Sequence, residues 1–558
     1  MVISDQELQD LLIKMNILDE PKTLEVQEFM KNASVNFTEA LLQKNIISDE
    51  QLGITIANHL KIPFVTLSKI SIPQEVFHII PEKIARKQKV IAFGRDDTGI
   101  KVALADPKNT DILQFIAQKT QQKVIPHLAT ERDINNTFYI FKKELQKAFD
   151  ELVGPVKGDT YLKEAPVSRI VDLIIETAFF DKVSDIHIEP QEENALVRYR
   201  IDGILHDVLY YPKNLHDRIM TRLKVLSRLR TDEHLSPQDG KVRFEIEDSY
   251  LDLRVSIIPI VEGEKCVMRL LSAHNRSITL TDLGMNDTDL EKVSKAYTKS
   301  YGMILSTGPT GSGKSTSIYA ILKVLNTRAK NITTIEDPVE YRIKGVNQIQ
   351  VNPKTNLTFA SGLRSILRQD PNIIFVGEIR DSETAGIAVN AALTGHLVVS
   401  TLHTNDAATA LPRLVDMKIE PFLVASTVNV IIAQRLIRKI CEMCKTAIDI
   451  NISELSQNLS EETIKKFFGS KTKARVYMGA GCKVCHNTGY FGRLGIFEVL
   501  EVTKSIRELI MQKSDSDVLI KKAREEGMAS MLEDGLAKVV QGLTTIQEVL
   551  RVTKVESI

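Results

Sequence analysis

The chain has 558 residues, 43% of them hydrophobic and 26% charged, and its 72 Lys and Arg balance 72 Asp and Glu to a formal net charge of zero. Such a composition fits a globular protein of three or four domains at roughly 150 residues each, and it speaks against a general nucleic-acid binder, whose affinity comes from neutralising phosphates. No run reaches the roughly 18 apolar residues of a membrane-spanning helix, MVISDQELQDLL is acidic and amphipathic, unlike a signal peptide, and a cytoplasmic location is the expectation.

Residues 1–62 read as helical and contain a weak repeat, Leu11-Leu12-Ile13-Lys14-Met15-Asn16-Ile17-Leu18-Asp19-Glu20 against Leu41-Leu42-Gln43-Lys44-Asn45-Ile46-Ile47-Ser48-Asp49-Glu50. Each copy is an amphipathic helix, a short turn and an acidic residue placed to start the next helix. Units of this kind dock onto a partner or cap a neighbouring domain, and both readings stand. Residues 63–150 read as a small α/β domain. Strands are expected over Pro63-Phe64-Val65-Thr66-Leu67, Val90-Ile91-Ala92-Phe93, 100–105 and 124–129, with helices over 111–121 and 131–152. Turn formers in Gly154-Pro155-Val156-Lys157-Gly158-Asp159 mark a linker over 151–162.

Residues 163–278 read as an α+β domain. Helical periodicity covers 168–180 and 219–229, and strands are expected over 184–190, 195–201, 244–246, 251–258 and 265–271. Asp202-Gly203 is a hairpin turn signal. Arg254 and Arg269 stand on otherwise apolar strands. They mark either a solvated outer sheet face or a γ-phosphate contact, where a planar donor fork suits phosphate.

Residues 279–558 open on Gly308-Pro309-Thr310-Gly311-Ser312-Gly313-Lys314-Ser315-Thr316, which fits the phosphate-binding pattern G-x-x-x-x-G-K-[ST]. An apolar strand over 301–307 precedes it and a helix over 317–325 follows it, as the motif requires. Glycines let the loop turn its N–H groups inward, and the helix start adds partial positive charge. Lys314 is then expected on the β/γ-phosphates and the Ser315 hydroxyl on Mg²⁺. Three further apolar strands end in polar residues: Glu336, Asp337 and Glu340 after the first, Glu378 after the second, His403 after the third. Ligands of open α/β sheets sit at the carboxyl ends of strands, and ATP hydrolysis needs acids for Mg²⁺ and for the attacking water.

Cys441-x-x-Cys444 and Cys482-x-x-Cys485 are two chelating pairs separated by 37 residues. Four thiolates favour a closed, structural, tetrahedral Zn²⁺ site. Residues 503–555 read as charged helices with breaks at 525–528 and 541–545, the second starting a helix with a Thr cap before Glu548.

The loop at 308–316, Glu336-Asp337-Pro338-Val339-Glu340-Tyr341, Val376-Gly377-Glu378-Ile379-Arg380-Asp381 and Thr394-Gly395-His396 through His403-Thr404-Asn405-Asp406 resemble the Walker A, Asp box, Walker B and His box of secretion ATPases. Ser184-Asp185-Ile186-His187-Ile188-Glu189-Pro190, Arg200-Ile201-Asp202-Gly203, Pro237-Gln238-Asp239-Gly240 and Gln434-Arg435-Leu436 fit the same family. Residues 160–555 are similar to type II secretion and type IV pilus assembly ATPases, most like the pilus extension motors. The resemblance implies a RecA-like P-loop domain of α/β class, an upstream α+β, PAS-like domain, a helical plus small α/β N-terminal region, and a tetracysteine zinc subdomain over 435–497. It implies a cytoplasmic homo-hexamer lying against the inner face of the membrane, with ATP, Mg²⁺ and structural Zn²⁺. It assigns Glu378, Glu336, Asp337, Glu340, His396, His403, Arg254 and Arg269 to catalysis and the four cysteines to zinc. The N-terminal region would dock onto an inner-membrane platform protein. Relatives that bind cyclic di-GMP there carry Arg-Leu-Gly where this chain has Asn36-Phe37-Thr38, which speaks against that ligand; Val183 replaces the usual Ala before Ser-Asp-Ile-His. The leading expectation is therefore a pilus assembly ATPase. Its alternatives are a type II secretion ATPase, a DNA translocase, disfavoured by zero net charge and no aromatic–basic stripe, and a scaffold without turnover, disfavoured by Lys314 and Glu378.

Overall fold

The computed structural model describes residues 3–33, 36–43, 46–70, 72–138, 145–153, 166–246, 249–271, 279–469, 472–482 and 484–553. The chain forms two compact units, one from Met1–Phe64, Lys69–Ser71 and Ser277–Ile558, the other from Val65–Ser68 and Ile72–Arg276.

At the start of the first unit stand helices Asp5–Lys14, Glu20–Ala33, Phe37–Gln43 and Asp49–Leu60, so each copy of the repeat begins in one helix and ends in the next; Lys44 and Asn45 of the second copy lie outside the described residues. Their starts differ. Asp19 accepts the Lys22 amide at 2.9 Å, whereas Ser48, not Asp49, caps the fourth helix through a capping box with Gln51. Leu8, Leu12, Val26, Phe37, Leu41 and Leu52 bury together inside this bundle.

The second unit holds two sheets. In the smaller, β1 (Val90–Asp96) pairs antiparallel with β2 (Gly99–Leu104), and β2 pairs parallel with β3 (Val124–Leu128) after the crossover helix Thr110–Thr120. The strand expected over 63–67 does not join the sheet. Pro63 has no N–H for a ladder, Val65 donates to Leu128 O at 2.9 Å, the Leu67 amide donates instead to the Asp133 carboxylate at 2.5 Å, and the chain enters a 3₁₀ turn at Leu67–Lys69. Of the helix expected over 131–152, the described residues hold Glu131–Thr137 and Leu145–Val153, and residues 139–144 lie outside them. Most of the expected linker, from residue 154 on, lies outside the described residues.

The larger sheet is antiparallel with six strands: β4 (Asp185–Pro190), β5 (Asn194–Ile201), β6 (Ile204–Pro212), β7 (Gln238–Ile246), β8 (Ser249–Ile260) and β9 (Gly263–Leu271), in the order β6-β5-β4-β9-β8-β7. Asp202 and Gly203 both take positive φ, 49° and 89°, as a two-residue hairpin requires. Strand β6 escaped the sequence reading because it is an edge, with only Leu209 and Tyr211 buried. Helices Val167–Phe180 and His216–Leu226 cover one face with Ile170, Ile174, Ile219 and Leu223, and the Tyr199 hydroxyl donates to Ile174 O at 2.6 Å.

Within the first unit, β10 (Gly302–Thr307), β11 (Ile332–Glu336), β12 (Asn347–Gln350), β13 (Ile373–Val376), β14 (Leu397–Leu402) and β15 (Val428–Ile440) run parallel, and β18 (Tyr490–Glu501) closes the edge antiparallel to β15. The order is β12-β11-β13-β14-β10-β15-β18. β16 (Lys445–Asn451) and β17 (Lys473–Gly479) form a separate antiparallel ribbon between β15 and β18 in the chain. Four helices follow: Lys504–Met511, Ser516–Glu525, Met531–Val540 and Ile546–Thr553. Their breaks fall at the expected places, and Thr545 accepts the Glu548 amide at 3.3 Å. No described helix is long and apolar enough to cross a membrane.

Candidate nucleotide site and metal centre

β10 is buried at every residue and carries the chain to the sheet's carboxyl edge, where the loop begins. Gly308, Gly311 and Gly313 take φ of 139°, 80° and 90°, a region closed to most side chains. Crowding also matters at Gly308, where a Cβ would stand 2.6 Å from Gln434 O and 2.7 Å from Ser312 Oγ. Helix Lys314–Leu325 then starts without a side-chain cap, so its first N–H groups are not used by a capping side chain. An anion is the natural partner for such a terminus. Lys314 Nζ donates to Gly308 O at 2.7 Å and Pro309 O at 3.0 Å. Burial pushes its ammonium pKa down, and the field of Glu378 pulls it back up.

Parallel register brings the next groups to the same edge. Thr307 pairs with Leu402, so His403 follows directly beside the loop. The Thr307 and Thr404 hydroxyls meet at 2.6 Å and the Thr404 amide donates to Thr307 Oγ1 at 3.0 Å, which stitches the two strand ends together. Glu378, two residues beyond β13, has one oxygen 3.2 Å from His403 Nε2 and the other 2.8 Å from Arg380 Nη2. Lys314, Glu378, Arg380 and His403 are therefore one cluster.

Two candidates are not part of it. His396 precedes β14 and His403 follows it, so one strand of six residues, about 20 Å, separates them. His396 Nδ1 instead lies 3.0 Å from Ala391 O at the end of helix Ser382–Leu393. Glu336 turns inward: its carboxylate accepts from Tyr319, from Thr334 at 2.5 Å and from Gln348 at 3.2 Å, and only 4% of the residue is exposed. Asp337 is exposed and Glu340 half-buried.

On the six-stranded sheet, direct cross-strand pairing lines up Arg200, Asp185, Arg269, Arg254 and Lys241 in one row. Direct partners share a face, so four cations flank a single carboxylate. Asp185 accepts Arg269 Nε at 2.9 Å, while Arg254 and Arg269 stand opposite each other.

The four cysteines converge, with all their sulfurs within 4.8 Å of one another. Cys441–Cys482 and Cys444–Cys485 are 3.8 Å apart and Cys482–Cys485 3.7 Å. Ligands 2.3 Å from a tetrahedral zinc lie about 3.8 Å from one another, so the thiol set fits Zn²⁺, and these spacings are far too long for disulfides. The Cys482 and Gly489 amides point at Cys485 Sγ from 3.2 and 3.3 Å. Gly479 and Gly489 let two backbones touch here: a Cβ on Gly479 would sit 2.0 Å from Gly489 O.

The sequence matches the Type II/IV secretion system protein family over residues 160–551 and the MshEN domain over residues 60–139. The chain belongs to the type II/IV secretion system protein family. It is 36% identical to the type IV pilus assembly ATPase PilB of Myxococcus xanthus, over 97% of this chain and 98% of that one. It is 44% identical to the type II secretion system protein E of Pseudomonas aeruginosa, over 70% of this chain and 76% of that one. The X-ray structure of the Legionella pneumophila ATPase DotB shares the fold, with a TM-score of 0.52 at 21% identity, covering 72% of this chain and 97% of that chain.

In this secretion ATPase, two supports of the loop were missed as such by sequence reasoning. Gln434, buried on β15, donates its amide to Ser312 O at 2.7 Å. The sequence marked it as part of a family motif but gave it no task. Tyr319, one helical turn and a half past Lys314, is fully buried and holds Glu336. An apolar-periodic helix hides such a residue as ordinary core.

Proposed function

We propose that this secretion ATPase is the motor of type IV pilus assembly, a cytoplasmic homo-hexamer that hydrolyses ATP and passes motion to an inner-membrane platform protein, which adds pilin subunits. The observation that carries this reading is extent: the likeness to the Myxococcus xanthus pilus assembly ATPase runs through 97% of the chain, against 70% for the type II secretion relative. The higher identity of that second relative, 44% against 36%, favours type II secretion as the alternative.

In this reading the N–H groups of 308–316 wrap the phosphates and Lys314 draws charge off the β/γ bridge. Glu378, steered by His403 and Arg380, polarises the attacking water. Asp337 and Glu340 supply further acid at the sheet edge, and Arg254 and Arg269 answer γ-phosphate charge in the working ring. Mg²⁺ would sit on the Ser315 hydroxyl and would offset phosphate charge. Zn²⁺ would be held by Cys441, Cys444, Cys482 and Cys485 as a structural cross-link. The division of labour is a docking region over 1–62 and 63–150, an arginine-bearing domain over 163–278 and an ATPase domain over 279–558. Cyclic di-GMP is not part of this reading, given Asn36-Phe37-Thr38.

Deleting the chromosomal copy and complementing it with wild type or Glu378→Gln tests the proposal. Loss of surface pili with normal exoprotein secretion, restored by wild type alone, is expected. Lost secretion with pili intact overturns it in favour of the type II reading.

A further inference from the structure

We infer that Glu336 is a positioning residue rather than a reacting acid, and that Tyr319 and Glu336 together fix the acidic segment 337–340 against the helix that carries the phosphate loop. The inference rests on the ATPase reading above and concerns how its site is held.

Tyr319 lies five residues past Lys314, about 7.5 Å along the helix axis. Its hydroxyl donates to Glu336 Oε2, and the Glu340 amide donates to that same hydroxyl at 3.3 Å. One phenol thus holds both ends of the acidic segment, and the exposed Asp337 lies between the two anchors. The ring is wedged edge-on between Tyr341, with centroids 4.6 Å apart, and Phe375, at 6.2 Å. Gln348 on β12 closes the far side: its amide donates to Glu336 Oε1 and to Tyr341 O, both at 3.2 Å, and its carbonyl accepts the Ile343 amide at 2.7 Å.

Glu336 therefore has both oxygens engaged by neutral donors, and among the described residues no Lys or Arg forms an ion pair with it. Burial raises its carboxyl pKa, and the bonds from Thr334, Tyr319 and Gln348 work against that rise. An acid that takes a proton from water or binds a metal needs a free lone pair facing the ligand. Glu378 and Asp337 are placed at the sheet edge; Glu336 is sealed behind it. Helix and acidic segment are coupled through this buried hydroxyl, so a shift of the phosphate loop carries the acids with it.

The test uses the purified full chain, with ATP turnover, affinity for a fluorescent ATP analogue and thermal melting measured together. Glu378→Gln serves as the reference: should it turn over ATP as fast as wild type, the ATPase assignment fails, and not the present one. Tyr319→Phe is expected to lower kcat by about tenfold with KM within about twofold, because misplacement of a reacting group acts on the transition state. Glu336→Gln is expected to keep kcat within about tenfold of wild type, since an amide still bonds Tyr319 and Thr334. The double variant is expected to be no worse than Tyr319→Phe alone, as for two residues of one couple. Where Tyr319→Phe melts below the assay temperature, Glu336→Gln decides by itself. A loss of more than about tenfold in Glu336→Gln, or a raised KM with unchanged kcat in Tyr319→Phe, overturns the inference.

Discussion

In the seven-stranded sheet, β10 and β14 are buried at every position; in the six-stranded sheet, β9 alternates between buried and open residues. The first sheet is parallel except for its edge strand β18 and is covered on both faces, so the polar side chains along β10 and β14 are buried and the exposed ones collect where the strands end. The second is antiparallel and covered on one face, which leaves the other to carry the row of Arg200, Asp185, Arg269, Arg254 and Lys241. Where a sheet can display charge depends on how many of its faces are buried.

The hardest way to break this contrast is to put a charge inside β14, whose residues Leu397–Leu402 carry none. Val399→Asp on β14, fully buried, is expected to destabilise by more than about 4 kcal/mol, read as lost cooperative unfolding in urea. Next in size, Lys314→Ala at the carboxyl edge should reduce kcat by about a hundredfold or more while leaving the melting temperature nearly unchanged, since among the described residues Lys314 bonds to loop carbonyls alone; a large fall in melting temperature would show that the edge is structural.

Ion pairs sharpen the comparison. On β15, Arg438 Nη2 meets Glu548 at 2.5 Å with the acid's side chain 2% exposed. Burial pushes the Glu548 carboxyl up, but bonds from Arg551 and Arg438 outweigh it and hold the pKa at about 2. A lowered folded value means stability that is fully present above about pH 4.5 and lost as pH falls toward about 2. The loss is expected to approach about 3 kcal/mol, and Glu548→Gln should flatten this limb of the acid-unfolding profile. The open face should behave differently. Arg254 stands opposite Arg269, and like charges facing each other across strands repel. Arg254→Gln is therefore expected to change unfolding free energy by less than about 1 kcal/mol while ATP turnover falls. Unchanged turnover would leave the cation row a solvated face.

The phosphate loop was legible because its working parts lie within nine contiguous residues, and their flanking strand and helix repeat apolar residues with clear periods. The cysteine pairs were legible for a similar reason: each is one turn, and thiolates in that spacing have few other uses. The acids and histidines were readable as types but not as places. His396 and His403 are seven apart in sequence, and a straight strand sends them to opposite ends of the sheet. Glu336 and Asp337 are adjacent, yet Glu336 is the last residue of β11, a strand buried at every position, while Asp337 lies just past its end, so one is sealed in and the other exposed.

The sequence by itself determined the phosphate-loop motif, the two cysteine pairs and the alternation of the open sheet, because these follow from local spacing and hydrogen-bonding capacity. The tertiary structure alone decided which acid faces the loop, that Gln434 braces it from a strand 122 residues away, and that Tyr319 ties the loop's helix to Glu336. Those outcomes depend on strand order and on which side chains burial forces into contact, and neither is written in any one stretch of the chain.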